Sequence, residues 1–540
     1  FDTNSENLNT PLNFYNTTSG HGNFNFKGTN NDLQILRTYL LDNMGDGRKI
    51  EVLGWQPDAN IWVWNNRIIA EEGVEIPLDE NGVFVHNHIH YYIASANKIY
   101  KHASGKYKAQ KQFRVMENTV SFESYMAKVI RVHREHGISA LLFAIASLFQ
   151  DIAVDETGSF PILFFYGPGG SGKDELAYII QSFAGIPQIP INLEAGASTL
   201  KAKIIELAQF KNGISQLSEY KRGDGKLDGT IKSIWDRVGY KKGSIESRIA
   251  MDTVDIESSV ILTGNDYPNS EPLIIRLIWN EMTKNVFSQE EMIEFDELND
   301  WTTKGVSGYS HHLLTYRKVY KENYSKGYRK WKGILQENFK TAKGRIISNL
   351  AVLATTFEIV RDMTDTTFPF DQNAMMDHFK NQIELQTAKI NSASIMIRFW
   401  DCFIASLRGN KDERLQANYI VSVEENTLYI QWTHTMDKIE RKWWSQYHEL
   451  PPSRATFKDE LKKSGAWIED IKSHSFASGR MANRSSATSI NMLQLSENVK
   501  EDITGSIMYQ LNEGTLWENK AKEGNVEEQS PLISLDFNET

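Results

Sequence analysis

The chain has 540 residues, 40% hydrophobic and 24% charged, with a formal net charge of −10. That length is too great for one hydrophobic core and suggests three or four domains at about 150 residues each. The single cysteine, Cys402, excludes an internal disulfide framework and fits a reducing compartment, and the acidic balance means that any nucleic-acid contact must come from local basic surface.

The chain starts at Phe1, not Met, as expected of a fragment or a processed product. Residues 1–30 are rich in Asn, Thr, Ser and Gly and read as a flexible arm. Over 31–115, short runs such as "IWVW" and "GVFV" alternate with turn signals, which predicts a small α+β domain. Within it, "HNHIH" puts His86, His88 and His90 on one face if it is a strand. Alternating histidines can bind zinc, but no fourth ligand or nearby cysteine is evident, so an exposed strand is expected.

Residues 116–300 open with helices. One is expected from Ser121 to Gly137, and the apolar run Ile138–Phe149 predicts a buried helix that is too short for the ~20 residues of a membrane span. Strands and helices then alternate through "PILFFY", "DELAYIIQSF", "IPINL", "STLKAKIIELAQF", "GISQLS" and "SVILTGN". Such alternation, with buried apolar strands, predicts an α/β layer with a largely parallel sheet. Residues 301–415 read as helical. Residues 416–500, with the hairpin "YIVSVEENTLYIQW" and the capped helix "SRATFKDELKKSG", resemble a winged helix, and 501–540 read as an acidic tail.

The stretch "GPGGSGKD", Gly167, Pro168, Gly169, Gly170, Ser171, Gly172, Lys173 and Asp174, nearly spells the phosphate-loop pattern G-x-x-x-x-G-K-[ST]. It follows an apolar strand and precedes an amphipathic helix, the setting the pattern requires. Glycines let backbone N–H groups turn toward phosphates, and the helix N-terminus and Lys173 add positive charge. The departure is Asp174, a carboxylate where a hydroxyl should help to hold magnesium.

A second strand, Ile214 to Ser218, delivers Glu219, the candidate for orienting the attacking water. The usual Asp before it is Ser218 here. Both metal-side positions are therefore altered in opposite senses: the inventory of one hydroxyl and one carboxylate is kept, with Asp174 and Ser218 exchanged. Mg²⁺ takes hard oxygen ligands and keeps several waters, so either arrangement can serve it. The alternative is a degenerate site in which Asp174 repels the nucleotide. Asn265, at the end of "SVILTGN", is a sensor candidate at the sheet edge. Arg276, in "EPLIIRLIW", reads either as an arginine finger for a neighbouring subunit or as an internal salt bridge.

This order of motifs resembles the superfamily-three helicase branch of the AAA+ ATPases, and more closely the primase-helicases of phages and mobile elements. The resemblance covers residues 45–345 and includes "VLGWQPDANIWVWNNRII" in the domain before the ATPase core. It implies ATP and Mg²⁺ as cofactors, and catalytic roles for Lys173, Glu219, Asn265 and Arg276. It also implies a hexameric ring of identical subunits around single-stranded DNA, replication proteins as partners, no membrane, and the cytoplasm of a bacterial host. No primase motif is recognisable in the chain.

Between Lys221 and Arg248 lie eight basic and four acidic residues. Short alternating stretches there are compatible with a hairpin before the sensor strand. In the resembled family that hairpin enters the ring channel and holds the DNA backbone, and Lys241, Lys242 and Arg248 fit that role by charge. A solvated basic loop is the plainer alternative. A second basic run, Arg317 to Arg345, has ten Lys or Arg against two Glu. Its tyrosines 316, 320, 324 and 328 form one helical stripe, expected to pack on the next helix with the cations left at the surface.

Overall fold

The computed structural model describes residues 5–20, 22, 24–43, 47–101, 105–194, 199–222, 224–243, 251–268, 270–284, 288–393, 395–410, 413–476, 484–495 and 497–523. These fall into two compact units, Phe1–Lys389 and Ile390–Thr540.

In the first unit, a five-stranded sheet carries the candidate site. Its spatial order is Leu277–Glu281, Ile162–Tyr166, Ser259–Gly264, Ile214–Ser218 and Ile191–Asn192, and every neighbouring pair is parallel. The three longest apolar runs in these strands, in Ile162–Tyr166, Ser259–Gly264 and Leu277–Glu281, are buried, as parallel sheets require. Arg276 precedes the edge strand instead of opening it: a short helix, Glu271–Ile274, comes first.

The apolar run behind the sheet is bent by 86° into helices His136–Leu148 and Gln150–Thr157. Among the described residues no single helix is long and apolar enough to cross a membrane. The preceding helix is Phe122–His133, capped by the Ser121 side chain. It ends four residues before the expected Gly137, because Arg134 takes a positive φ of 53° and breaks it.

The smaller domain before the core is an antiparallel meander, Leu53–Gln56, Ile61–Val63, Ile68–Ala70 and Glu75–Ile76, beside a second small sheet. Its Leu53–Gln56 strand also pairs, in parallel, with Phe210–Lys211 of the core. At that junction Gly54 has φ 105°, and a Cβ there would stand 1.7 Å from the Lys211 carbonyl oxygen. Only glycine fits such an approach. His86 lies in a strand and His90 in its partner, but Asn87 and His88 form the turn between them, at φ 50° and 62°. The three histidines therefore do not share a strand face. The stretch expected to be a flexible arm contains the helix Pro11–Ser19.

Helix Arg317–Asn338 packs on Gly344–Met363 through the expected tyrosine stripe: Tyr320, Tyr324 and Tyr328 are buried and stacked in sequence. Tyr320 also hydrogen-bonds Thr356 at 2.7 Å. Surface cations on this helix pair outward, Lys321 with Glu71, Arg329 with Glu156 and Lys330 with Glu358.

The second unit combines helices with a four-stranded antiparallel sheet. Helix Ile395–Leu407 precedes the hairpin Val421–Glu424 and Thr427–Ile430, helices Trp432–Tyr447 and Arg454–Lys463, and strands Trp467–Ser475 and Arg484–Asn491. Its core includes Phe403, Ile439, Trp443 and Phe457. Of the expected acidic tail, 501–523 belongs to helix Glu497–Glu523, whose Ile503 and Ile507 are buried in that core, and 524–540 lie outside the described residues. The spacing of those two apolar residues, one helical turn apart, is the signal that its acidic composition hid.

Arg317 ties the small domain to the core. Its guanidinium lies 3.4 Å from the Trp55 ring centroid, is 2% exposed, and pairs with Asp151. Removing Arg317 uncovers the Trp55 face and leaves the partly buried Asp151 carboxylate with Asn212 but without its cation. Arg317→Ala should therefore destabilise the protein by about 3 kcal/mol, read from urea denaturation followed by tryptophan fluorescence.

Candidate nucleotide site

The parallel register aligns three strand ends. Tyr166 leads into the glycine loop, Gly264 leads to Asn265, and Ser218 leads to Glu219. Ligands bind at this carboxyl edge of open α/β sheets.

The loop enters helix Lys173–Ser182. Gly170 and Gly172 take φ 77° and 84°, the left-handed conformations that turn successive N–H groups inward. Lys173 is 5% exposed. Among the described residues its one hydrogen bond is to the neutral amide of Asn265, Nζ to Oδ1 at 3.0 Å, and no carboxylate pairs with it. A buried ammonium without a counter-charge is costly, and an anion seated in the loop would relieve that cost. Ser171 Oγ, buried in the same loop, also has no hydrogen-bond partner.

Asp174 is exposed, in the first turn of the helix. Its Oδ1 accepts from Gln216 Nε2 and from Thr263 Oγ1, each at 3.2 Å. Ser218 ends the neighbouring strand and is buried. Glu219 follows at φ 59°, an uncommon conformation for a side chain of its kind. Hence Lys173 and Asn265 touch, and Asp174 is held by the two strands whose ends carry Ser218 and Asn265.

Arg276 is not brought to these residues. Its Nη1 donates to the Pro272 carbonyl at 2.6 Å, its Nη2 approaches Asp236 at 3.5 Å, and its guanidinium lies 5.0 Å from the Trp235 ring. Among the described residues its guanidinium is thus engaged within the chain. Lys241 and Lys242 lie in an antiparallel hairpin, Tyr240–Gly243 with Met251–Val254, where they oppose Thr253 and Asp252. Arg248 lies outside the described residues.

Sequence reasoning missed the wall beside the loop. A cavity of about 160 Å³ is bounded by Gly170–Gly172, Met282, Phe295 and the break between the first two core helices, with His133 and His136 on it. Burial pushes the His133 imidazole down to about 4, with His136 adding repulsion, and its Nε2 has no partner. The histidine pair in "VHREHG" was visible in the sequence, but nothing there linked it to a loop some 35 residues on.

The donor set fits a nucleotide triphosphate with magnesium. The loop offers inward N–H groups, an uncompensated ammonium and an unpaired hydroxyl. Asp174, Glu219 and the Ser218 hydroxyl supply hard oxygens, and Mg²⁺ needs only one or two carboxylates when phosphates complete its shell.

A five-stranded parallel sheet in this order, with a phosphate loop between its second strand and the following helix, defines an AAA+ type P-loop ATPase core. In fold the chain is similar to the solved structure of SCCmec type IV Cch, an active helicase, over 92% of this chain and 88% of that one, at 13% identity and TM-score 0.56. The helicase of JCV, solved with a bound thiazolopyridine acetamide, matches over 41% of this chain and 66% of its own, at 14% identity and TM-score 0.24. The C-terminal region of NrS-1 matches over 57% and 78%, at 12% identity and TM-score 0.24. Those two scores are too low to bear on the fold. No protein-family model matches the chain, and no curated protein matches it in sequence.

Burial holds His133 neutral in the folded protein, while the unfolded chain takes up its proton near the usual value of about 6.5. The stability this contributes is present above about pH 6.5 and is lost as pH falls toward about 4. Between pH 7 and pH 5 the wild type should lose about 2 kcal/mol more than His133→Gln, measured by urea denaturation at both pH values.

Proposed function

We propose that the chain is the ATP-driven DNA helicase or translocase module of a replicative primase-helicase, working as a hexameric ring around single-stranded DNA. The observation that carries this reading is Lys173, a buried cation in a glycine loop at a helix N-terminus, bonded among the described residues only to a neutral amide. That is a phosphate receptor by construction. Glu219 orients the attacking water, Asn265 senses the terminal phosphate, and Asp174 with Ser218 holds magnesium. The hairpin carrying Lys241 and Lys242 supplies sequence-independent contacts to the DNA backbone. Similarity of fold to the Cch helicase supports the same reading.

A second reading is a nucleotide-dependent scaffold on DNA with a degenerate ATPase site. It is favoured by one observation, a carboxylate at position 174 where a hydroxyl is usual.

Lys173→Ala should abolish nucleotide binding and any DNA-stimulated hydrolysis, followed by phosphate release with and without single-stranded DNA. Wild-type turnover in that variant would remove the site assignment. Wild-type protein that binds ATP but never turns it over, even with DNA, would favour the scaffold.

The exchange of metal-side residues makes a sharper expectation. Asp174→Thr and Ser218→Asp should each lower the magnesium-dependent rate, and the double variant should recover it. Residues that share one ion are non-additive, with a coupling of about 0.5–3 kcal/mol. Additive losses across the four proteins would sink the exchange.

A further inference from the structure

Helix Lys173–Ser182 and strand Ile214–Ser218 are joined by buried amides whose orientation is fixed from both ends. The backbone N–H of Gln188, which can only donate, bonds Gln181 Oε1 at 3.1 Å. That leaves Gln181 Nε2 to donate to Gln216 Oε1 at 3.0 Å. Gln216 Nε2 then donates to Asp174 Oδ1, which also accepts from the Thr263 hydroxyl. Flipping either amide would set donor against donor or acceptor against acceptor. Both glutamines are 3% exposed, so water cannot substitute for a lost partner. Thr263 closes the arrangement: its hydroxyl accepts from Gln216 Nε2 at 3.2 Å and donates to the same Asp174 oxygen.

The consequence falls on one carboxylate. Asp174 stands in the exposed first turn of a helix, where a short side chain would otherwise sample several rotamers. Two donors from two different strands converge on Oδ1. Among the described residues, none is bonded to Oδ2.

We propose that Gln216, Gln181 and Thr263 are positioning residues that lock the Asp174 carboxylate by Oδ1 and present Oδ2 to magnesium, in place of the strand-end carboxylate that Ser218 lacks. The inference rests on the nucleotide-site reading above and deepens it. It explains why a glutamine occupies the middle of a strand whose neighbouring strands are apolar there. Partners behind a metal ligand typically control about 10–100-fold in metal affinity.

The test uses the full chain and reads binding, not turnover. ATP affinity is measured by calorimetry in excess chelator and across a magnesium titration. Thr263→Val, which keeps the shape but removes the hydroxyl, should raise the half-saturating magnesium concentration about tenfold and leave the magnesium-free affinity within about twofold. Thr263→Ser should restore the wild-type midpoint. Gln216→Met should behave as Thr263→Val does. In an Asp174→Ala background, Thr263→Val should have no further effect, because the group it positions is gone.

An unchanged magnesium midpoint in Thr263→Val would overturn the proposal. So would equal losses with and without magnesium, the mark of a merely structural role, or ATP binding by the wild type that does not depend on magnesium. If Gln216→Met fails to fold, the two Thr263 variants still decide. A wild-type protein that binds no ATP under either condition would instead remove the nucleotide site itself, and this inference with it.

Discussion

Parallel pairing of three neighbouring strands is the constraint on which the site depends. Ile162–Tyr166, Ser259–Gly264 and Ile214–Ser218 run in the same direction and in fixed register, so their carboxyl ends lie level. A one-residue slip would turn every side chain of a strand to the other face. Gln216 would then leave Asp174, and Thr263 would leave both. The apolar burial of these strands on both sides is what makes such a slip costly. Chemistry at the edge is thus specified by hydrophobic contacts in the middle of the sheet.

At that edge, two opposite electrostatic situations sit one residue apart in sequence. Lys173 is buried with only a neutral partner, while Asp174 is exposed with two donors bound to one of its oxygens. The lysine is left wanting a negative charge, and the aspartate is left with one oxygen open to a positive one. An anion carrying its own cation satisfies both. A bare anion would satisfy Lys173 and repel Asp174.

Much of this was legible in the sequence because it rests on local signals. The setting of the glycine loop between an apolar strand and a helix was readable, and strand–helix alternation marked the parallel sheet. The tyrosine repeat at 320, 324 and 328 announced helix packing correctly. What the sequence hid was long-range partnership. Gln216, in a buried strand that also carries Ser215 and Ser218, shows no role until Gln181, 35 residues earlier, and Asp174 are brought to it. A polar residue in a buried strand must find a partner, and that rule alone could have singled it out. Arg276 shows the same limit from the other side. A lone arginine in apolar surroundings predicts a partner without saying whether it is Asp236 of the same chain or a phosphate of another. Composition misled at the C-terminus, where acidic residues on one face of a helix obscured Ile503 and Ile507 on the other.

The strand shared between the small domain and the core bears on which parts of the chain are separable. Phe113 stacks on Phe210 at 4.8 Å, Ile186 donates its N–H to the Gln112 carbonyl at 2.8 Å, and the Ser307 hydroxyl bridges the Arg114 carbonyl and the Met116 N–H. A cut at residue 116, where the pattern of strands gives way to helices, passes through the middle of this joint. It would strip the Phe210 ring and leave the Lys211 edge without its neighbour, directly upstream of the strand that ends in Ser218. Recombination that moved the loop-bearing core into another protein would have to carry the strands from Gly47 onward with it. The two domains are distinct in architecture yet belong to one compact unit.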